Sequence, residues 1–213
     1  MTAGPGPAGG LLDPTPSQTV GPFFGYSLPF PGGGEVAPAG HPGTVTVHGY
    51  VFDGDGEPIP DALLEFWQAA PDGSRAGAPG SLRADPANGG LLGRDGVRFT
   101  GFGRVATDGD GHWALRTLPP PPEAPYISIC FFARGLLHHL YTRAYLAPSP
   151  DDALLASLPP GRRATLLAAR EDGPVGDALD GAASDIGRGG VYRFDVAVQG
   201  GGGAEETVFL DFR

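Results

Sequence analysis

Residues 126–132 read YISICFF, apolar at nearly every position, and are bounded by Pro125 before and Gly135 after. So short an apolar run between breakers has the pattern of a strand buried on both faces. Similar blocks recur along the chain. Residues 44–52 (TVTVHGYVF) and 191–199 (VYRFDVAVQ) alternate with the period of two that a half-buried strand requires. Residues 62–68 (ALLEFWQ) are short and flanked by breakers, which favours a strand over a helix there too. Glycine and proline, 37 and 24 of 213 residues, would indicate disorder in a chain poor in apolar blocks. Here they act as joints between the blocks. The fold class expected is all-β: a two-sheet β-sandwich of about eight to ten strands with long loops.

The remaining segments fill in this plan. Residues 1–14 are mostly Gly, Ala and Pro and form a mobile tail; the domain is expected to occupy 15–213. Residues 15–24 (TPSQTVGPFF) make a stiff extended N-terminal arm, because two prolines fix φ and the hydroxyls between them bond the local backbone. Residues 69–97 are a long glycine-rich excursion. The acidic turns at 53–58 and 108–111 resemble calcium loops but lack the ligand spacing and terminal glutamate. The second is expected to join strands at 98–107 and 112–118 into a hairpin. The central run pairs with residues 138–145. Residues 148–158 (PSPDDALLASL) predict one short helix capped by Ser149. Strands at 165–169, pairing with 191–199, and at 207–212 complete the domain.

Charge narrows the function. All 14 cations are arginine, against 24 acidic residues, for a net charge of −10. No basic face is available to replace counterions, so a nucleic-acid partner is not expected. Lysine Schiff-base chemistry is excluded. Any bound anion must be held by arginine, which grips a carboxylate bidentately. The single cysteine, Cys130, lies in the apolar run and reads as an inert buried thiol in a reducing compartment. Neither a signal peptide nor a membrane-length run is evident, so a cytoplasmic location is expected.

The residues alone offer few catalytic constellations. No Gly-x-Ser-x-Gly occurs, nor a His-x-His pair on a strand. His138 and His139 are adjacent, so on a strand they point to opposite faces; they share a metal with Tyr141 or Tyr145 only in a distorted loop. Arg134, beside Gly135 at the end of the buried run, needs an anion. Two readings stay open for it: an internal salt bridge, or a carboxylate across an interface or in a pocket. Arg143 carries the same ambiguity.

Residues 15–22 (TPSQTVGP), 65–70 (EFWQAA), 102–108 (FGRVATD), 124–143 and 192–199 with 207–212 resemble, in order, the intradiol ring-cleavage dioxygenases. The resemblance covers the chain beyond its first dozen residues and is nearest the non-iron, α-type chains that act with an iron-bearing β-type partner on protocatechuate. That family holds Fe(III) with two tyrosines and two histidines, the histidines spaced Pro-x-His-x-His. Here Pro125 is followed by Tyr126, Ile127 and Ser128, so Tyr126 and Ser128 replace the histidines. The tyrosine of the family's Gly-Pro-Tyr-Pro-Trp segment is also missing, at the proline run 119–122, and residues 76–99 hold no tyrosine.

The resemblance therefore implies no metal and no catalytic residue in this chain alone. The partner subunit carries the iron, and this chain lends substrate-binding residues Thr19, Gly21, Pro22, Phe23 and Arg134. Arg134 would face the substrate carboxylate, and Phe23 stands where such chains often have tyrosine. The implied reaction is cleavage of protocatechuate by O2 between its hydroxyl-bearing carbons, giving 3-carboxy-cis,cis-muconate, in an αβ unit that assembles further. A non-catalytic β-sandwich binding or carrier module is the alternative from another class.

Overall fold

The computed structural model describes residues 21, 23–171, 189–201 and 203–211. The strands in the first half of the chain are β1 (Val45–Phe52), β2 (Leu63–Trp67), β3 (Leu82–Ala84), β4 (Leu91–Arg94), β5 (Phe102–Ala106) and β6 (His112–Thr117). The second half adds β7 (Tyr126–Phe132), β8 (Leu140–Tyr145), β9 (Ala169–Glu171), β10 (Val191–Arg193) and β11 (Val196–Ala197). Three short helices accompany them: α1 (Phe24–Ser27), α2 (Ala153–Ser157) and α3 (Pro160–Ala164). The architecture is predominantly β, as expected. Among the described residues it has three sheets and three helices, however, where two sheets and one helix were anticipated.

β1 organises the first sheet. β6 runs antiparallel to it, with Tyr50 opposite His112, and β10 and β11 follow one another parallel to it. β9 pairs with β10. The second sheet has the order β5-β2-β7-β8, antiparallel throughout. The core lies between the two. Val45, Val47, Val51, Trp113 and Leu115 of the first sheet share one cluster with Leu64, Phe66, Ile127, Ile129 and Phe131 of the second. Removing side chains of this size from water contributes about 1.5–3 kcal/mol each. Gly49 is required where β1 passes Phe194, because a Cβ there would lie 1.8 Å from the Phe194 carbonyl oxygen.

Several expectations are corrected by tertiary pairing. β7 is buried on one face only: Ile127, Ile129 and Phe131 point into the core, while Tyr126, Ser128, Cys130 and Phe132 are half-buried outside. The turn at 108–111 does not close a hairpin, since β5 pairs with β2 and β6 with β1 in the other sheet. The turn chemistry itself holds: Asp108 Oδ1 accepts the N–H of Asp110 and His112 at 3.0 and 2.9 Å. Asp53 does the same for Asp55 and Glu57, both at 2.9 Å. Such a turn reverses the chain without specifying which sheet receives it.

The segment 165–169 divides its bonds, Leu166 and Ala168 engaging Tyr145 while Ala169 begins β9. Thr207 bonds Ala197 and Leu210 bonds Tyr141, so this last segment crosses between the sheets and extends neither ladder. β10 and β11 are separated at Phe194 and Asp195, where Asp195 accepts the Tyr50 N–H at 3.0 Å. The excursion at 69–97 contains the β3–β4 hairpin. Asp152, not Ser149, caps α2 by accepting the Leu155 N–H at 3.0 Å, while Ser149 closes the preceding turn through its carbonyl. The tail expected at 1–14 lies outside the described residues.

Candidate functional site

β7 runs out of the core into the corner Ala133-Arg134-Gly135, where Gly135 takes a φ of +90°. The turn lifts Arg134 to the surface, its side chain 68% exposed. The guanidinium is not unpartnered. Its Nε and Nη2 donate to Asp61 Oδ2 at 2.6 and 2.5 Å, which realises the internal ion pair weighed for it. Nη1 makes no hydrogen bond among the described residues.

The end of the arm, of which Gly21, Phe23 and Phe24 are among the described residues, leads into α1 at the same edge. Phe24 is buried with its ring centroid 6.3 Å from that of Phe132, and Gly25 lies beside the Asp61 carbonyl, 4.0 Å from an ideal Cβ. α1 is held from behind by Arg104, which donates from Nη1 to the Leu28 carbonyl at 3.0 Å and from Nε to Glu65 at 2.7 Å. Arg94 fastens the following loop, donating to the carbonyls of Gly33, Glu35 and Phe102. Burial lowers its pKa from the ordinary arginine value, against the opposing pull of Glu35. On this support Phe23 and Tyr26 stand 78% and 83% exposed, flanking the Phe24 and Gly25 that meet Phe132 and Asp61. Gly21 has a φ of +71° at the start of this segment. Thr19 and Pro22 lie outside the described residues.

The outer face of the second sheet is where the resemblance puts an iron. Register sets Trp67, Ser128 and Arg143 side by side across β2, β7 and β8, and Tyr126 beside Tyr145. The Arg143 guanidinium lies 3.8 Å from the Tyr126 ring centroid and donates to the Tyr145 hydroxyl at 3.4 Å. Tyr145 in turn donates to Asp152 at 3.0 Å. Burial pushes the Tyr145 phenol up to about 12, a rise that Arg143 opposes and Asp152 reinforces. The donors here are therefore a hydroxyl, a stacked phenol and a guanidinium. The Arg143 guanidinium already lies over the face of Tyr126, and neither Tyr126 nor Ser128 supplies an imidazole. These residues do not fit Fe(III). Among the described residues, no group of three or more His, Cys, Asp or Glu could hold a metal ion.

The other candidate ligands are not assembled either. His139 packs its ring against Phe132 and Tyr141, at centroid distances of 5.5 and 4.8 Å, and His138 is exposed. Cys130 sits opposite Glu65 and Tyr141 in register. Burial, with the Glu65 carboxylate adding to it, pushes its thiol up to about 12, so at neutral pH it is a protonated and poor nucleophile.

Sequence reasoning singled out Arg134, Phe23 and Arg143. It missed Asp61, Arg104 and Arg94, which are paired with Arg134, with Leu28 and Glu65, and with Gly33 and Glu35, all distant in the chain. Asp61 is 73 residues from Arg134, and the only local signal was a carboxylate in the turn before β2.

Known proteins resemble this chain along most of its length. A family model described as a dioxygenase matches residues 34–130. The protocatechuate 3,4-dioxygenase alpha chain of Burkholderia cepacia is 39% identical over 94% of this chain and 98% of its own length. The alpha chain of the same name from Pseudomonas putida is 34% identical over 95% of this chain and 98% of its own. Among solved structures, the dioxygenase domain of a dioxygenase–carbohydrate-binding protein fusion from Streptomyces sp. SirexAA-E is 26% identical. That match covers 88% of this chain and 99% of that one, with a TM-score of 0.48.

Proposed function

The chain belongs to the intradiol ring-cleavage dioxygenase family, and from that premise we propose that it is the non-iron α subunit of a protocatechuate 3,4-dioxygenase. It pairs with a homologous β subunit that carries the Fe(III), and the two chains assemble into a higher αβ oligomer. The complex cleaves protocatechuate with O2 to 3-carboxy-cis,cis-muconate. The reaction takes place in the cytoplasm, where the unpaired Cys130 is at home. Among the described residues, no helix is long and apolar enough to cross a membrane.

The observation that carries the reading is the edge shared by α1 and the Arg134 corner. The exposed Arg134 guanidinium is paired to Asp61, beside which α1 and its two exposed aromatic rings are seated, while the face that would hold iron is covered by Arg143. Arg134 keeps Nη1 available for a substrate carboxylate, and Asp61 fixes the orientation of its plane. Gly21 and Phe23 line the partner's pocket beside it, and the resemblance implies the same role for Thr19 and Pro22. Phe23 offers a hydrophobic wall with no hydroxyl, so the ring contributes contact and exclusion of water only.

The test is to produce this chain alone and together with a β chain bearing the His-x-His strand. Protocatechuate-dependent O2 uptake is expected only for the pair, with an Arg134→Ala pair showing a raised KM for protocatechuate and unchanged turnover of catechol. Equal activity of the β chain with and without this chain would overturn the subunit role and favour a carrier module. Equal loss toward both substrates in the variant would overturn the carboxylate role.

A further inference from the structure

We propose that Asp61 is a counter-charge that lets the Arg134 corner hold a monocarboxylate substrate and release a tricarboxylate product. The inference rests on the α-subunit reading and adds a specificity-determining residue to it. The N–H groups that Arg134 commits, from Nε and Nη2, both end on one oxygen, Asp61 Oδ2, at 2.6 and 2.5 Å. Asp61 Oδ1 accepts no hydrogen bond among the described residues. The fork in which one arginine edge meets both oxygens of a carboxylate is therefore not formed.

The chain fixes the carboxylate more firmly than the guanidinium. The Asp61 side chain is 24% exposed, against 68% for Arg134. Its neighbour Ala62 is fully buried, donating its N–H to Thr107 Oγ1 and accepting the Thr107 N–H on its carbonyl, both at 2.9 Å. An aspartate has a single methylene, so it cannot follow the arginine far from that anchor. Arg134 is thus tethered to a fixed negative charge, and an incoming carboxylate meets a guanidinium already partly neutralised.

The chemistry gives that compensation a use. Protocatechuate brings one carboxylate, and opening the ring between its hydroxyl-bearing carbons creates two more, so the product carries three. A guanidinium with no counter-charge would hold the product more tightly than the substrate, because the attraction grows with the charge of the ligand. A fixed carboxylate beside it opposes each ligand in the same proportion, and so weakens the product more than the substrate. Nη1 still orients the one carboxylate present before cleavage.

Because both N–H groups rest on one oxygen, Asp61→Asn can keep an amide oxygen beneath them and remove only the charge. The test uses the full-length chain paired with a β chain bearing the His-x-His strand. It compares KM for protocatechuate with the inhibition constant of added 3-carboxy-cis,cis-muconate. Asp61→Asn should lower KM about twofold and the inhibition constant about fivefold, within the range of an exposed ion pair. The difference should shrink as salt is raised, and Asp61→Glu, which restores the charge, should restore the ratio of the two constants. Loss of a merely structural contact would instead raise both constants together. An unchanged ratio in Asp61→Asn, a rise in both constants, or a shift insensitive to salt would overturn the proposal. If Arg134→Ala raises KM while Asp61→Asn leaves the ratio unchanged, this inference alone falls. If Arg134→Ala leaves KM unchanged, the carboxylate role of Arg134 falls and this inference with it.

Discussion

On the outer face of the sheet centred on β1, two imidazoles share a 3.1 Å hydrogen bond, and Glu171 holds the far nitrogen of His48. On the outer face of the opposite sheet, the comparable strand β7 offers Tyr126 and Ser128, with the Arg143 guanidinium laid over the phenol ring. Both faces belong to strands that alternate in the same way, burying one side chain in two. The inward side chains secure the fold, since they lose their contact with water. The outward ones are chemically free, so a family scaffold can give up donors on one face without losing the core. In this chain the outward positions of β7 hold Tyr126 and Ser128 and no imidazole.

The sharpest way to break the comparison is to remove the backbone contact that the first sheet depends on. Gly49→Ala would drive a Cβ into the Phe194 carbonyl, and a loss of about 3 kcal/mol or more is expected in urea unfolding. A loss below about 1 kcal/mol would show that the strand can slide. On the second sheet, Glu65→Ala leaves the Arg104 guanidinium, 15% exposed, without its carboxylate, and about 2 kcal/mol should be lost. The same change should make Cys130 ionise more readily, which iodoacetamide labelling against pH would read.

Alkaline titration tests the second sheet's buried neutral groups. Both Cys130 and Tyr145 are pushed up to about 12, so the unfolded chain releases these protons first. Stability should be level below pH 9 and decline as pH rises toward 12, and Cys130→Ala should remove the portion that begins near 9. An unchanged profile in that variant would refute the assignment. Asp152→Ala, which removes both the α2 cap and the acceptor of the Tyr145 hydroxyl, should cost about 1 kcal/mol. Arg134→Ala should be smallest in stability, under about 0.5 kcal/mol for so exposed a pair, yet raise KM for protocatechuate about tenfold. A large loss of stability with no change in KM would make the corner structural.

The legible parts of the fold were those with local causes. The alternation of residues 44–52 and the apolar run at 126–132 gave β1 and β7, and the hairpin partner of β7 followed from its proximity. The two aspartate turns were legible because each side chain bonds N–H groups two and four residues on. Their consequence was not legible. Both turns carry the chain from one sheet to the other, which depends on the strands waiting there. The even alternation of residues 191–199 likewise concealed the break at Phe194 and Asp195, imposed by Gly49 and Tyr50 of a distant strand.

By itself, the sequence determined the strand-rich class, the absence of lysine, and the identity of Tyr126 and Ser128 after Pro125. These are matters of composition, short-range periodicity and residue identity, which need no neighbour to be read. Only the tertiary structure decided that Arg134 meets Asp61, that Arg143 covers Tyr126, and that His48 meets His112 from 64 residues away. Each contact forms because sheet closure and register bring together side chains whose own segments carry no mark of one another.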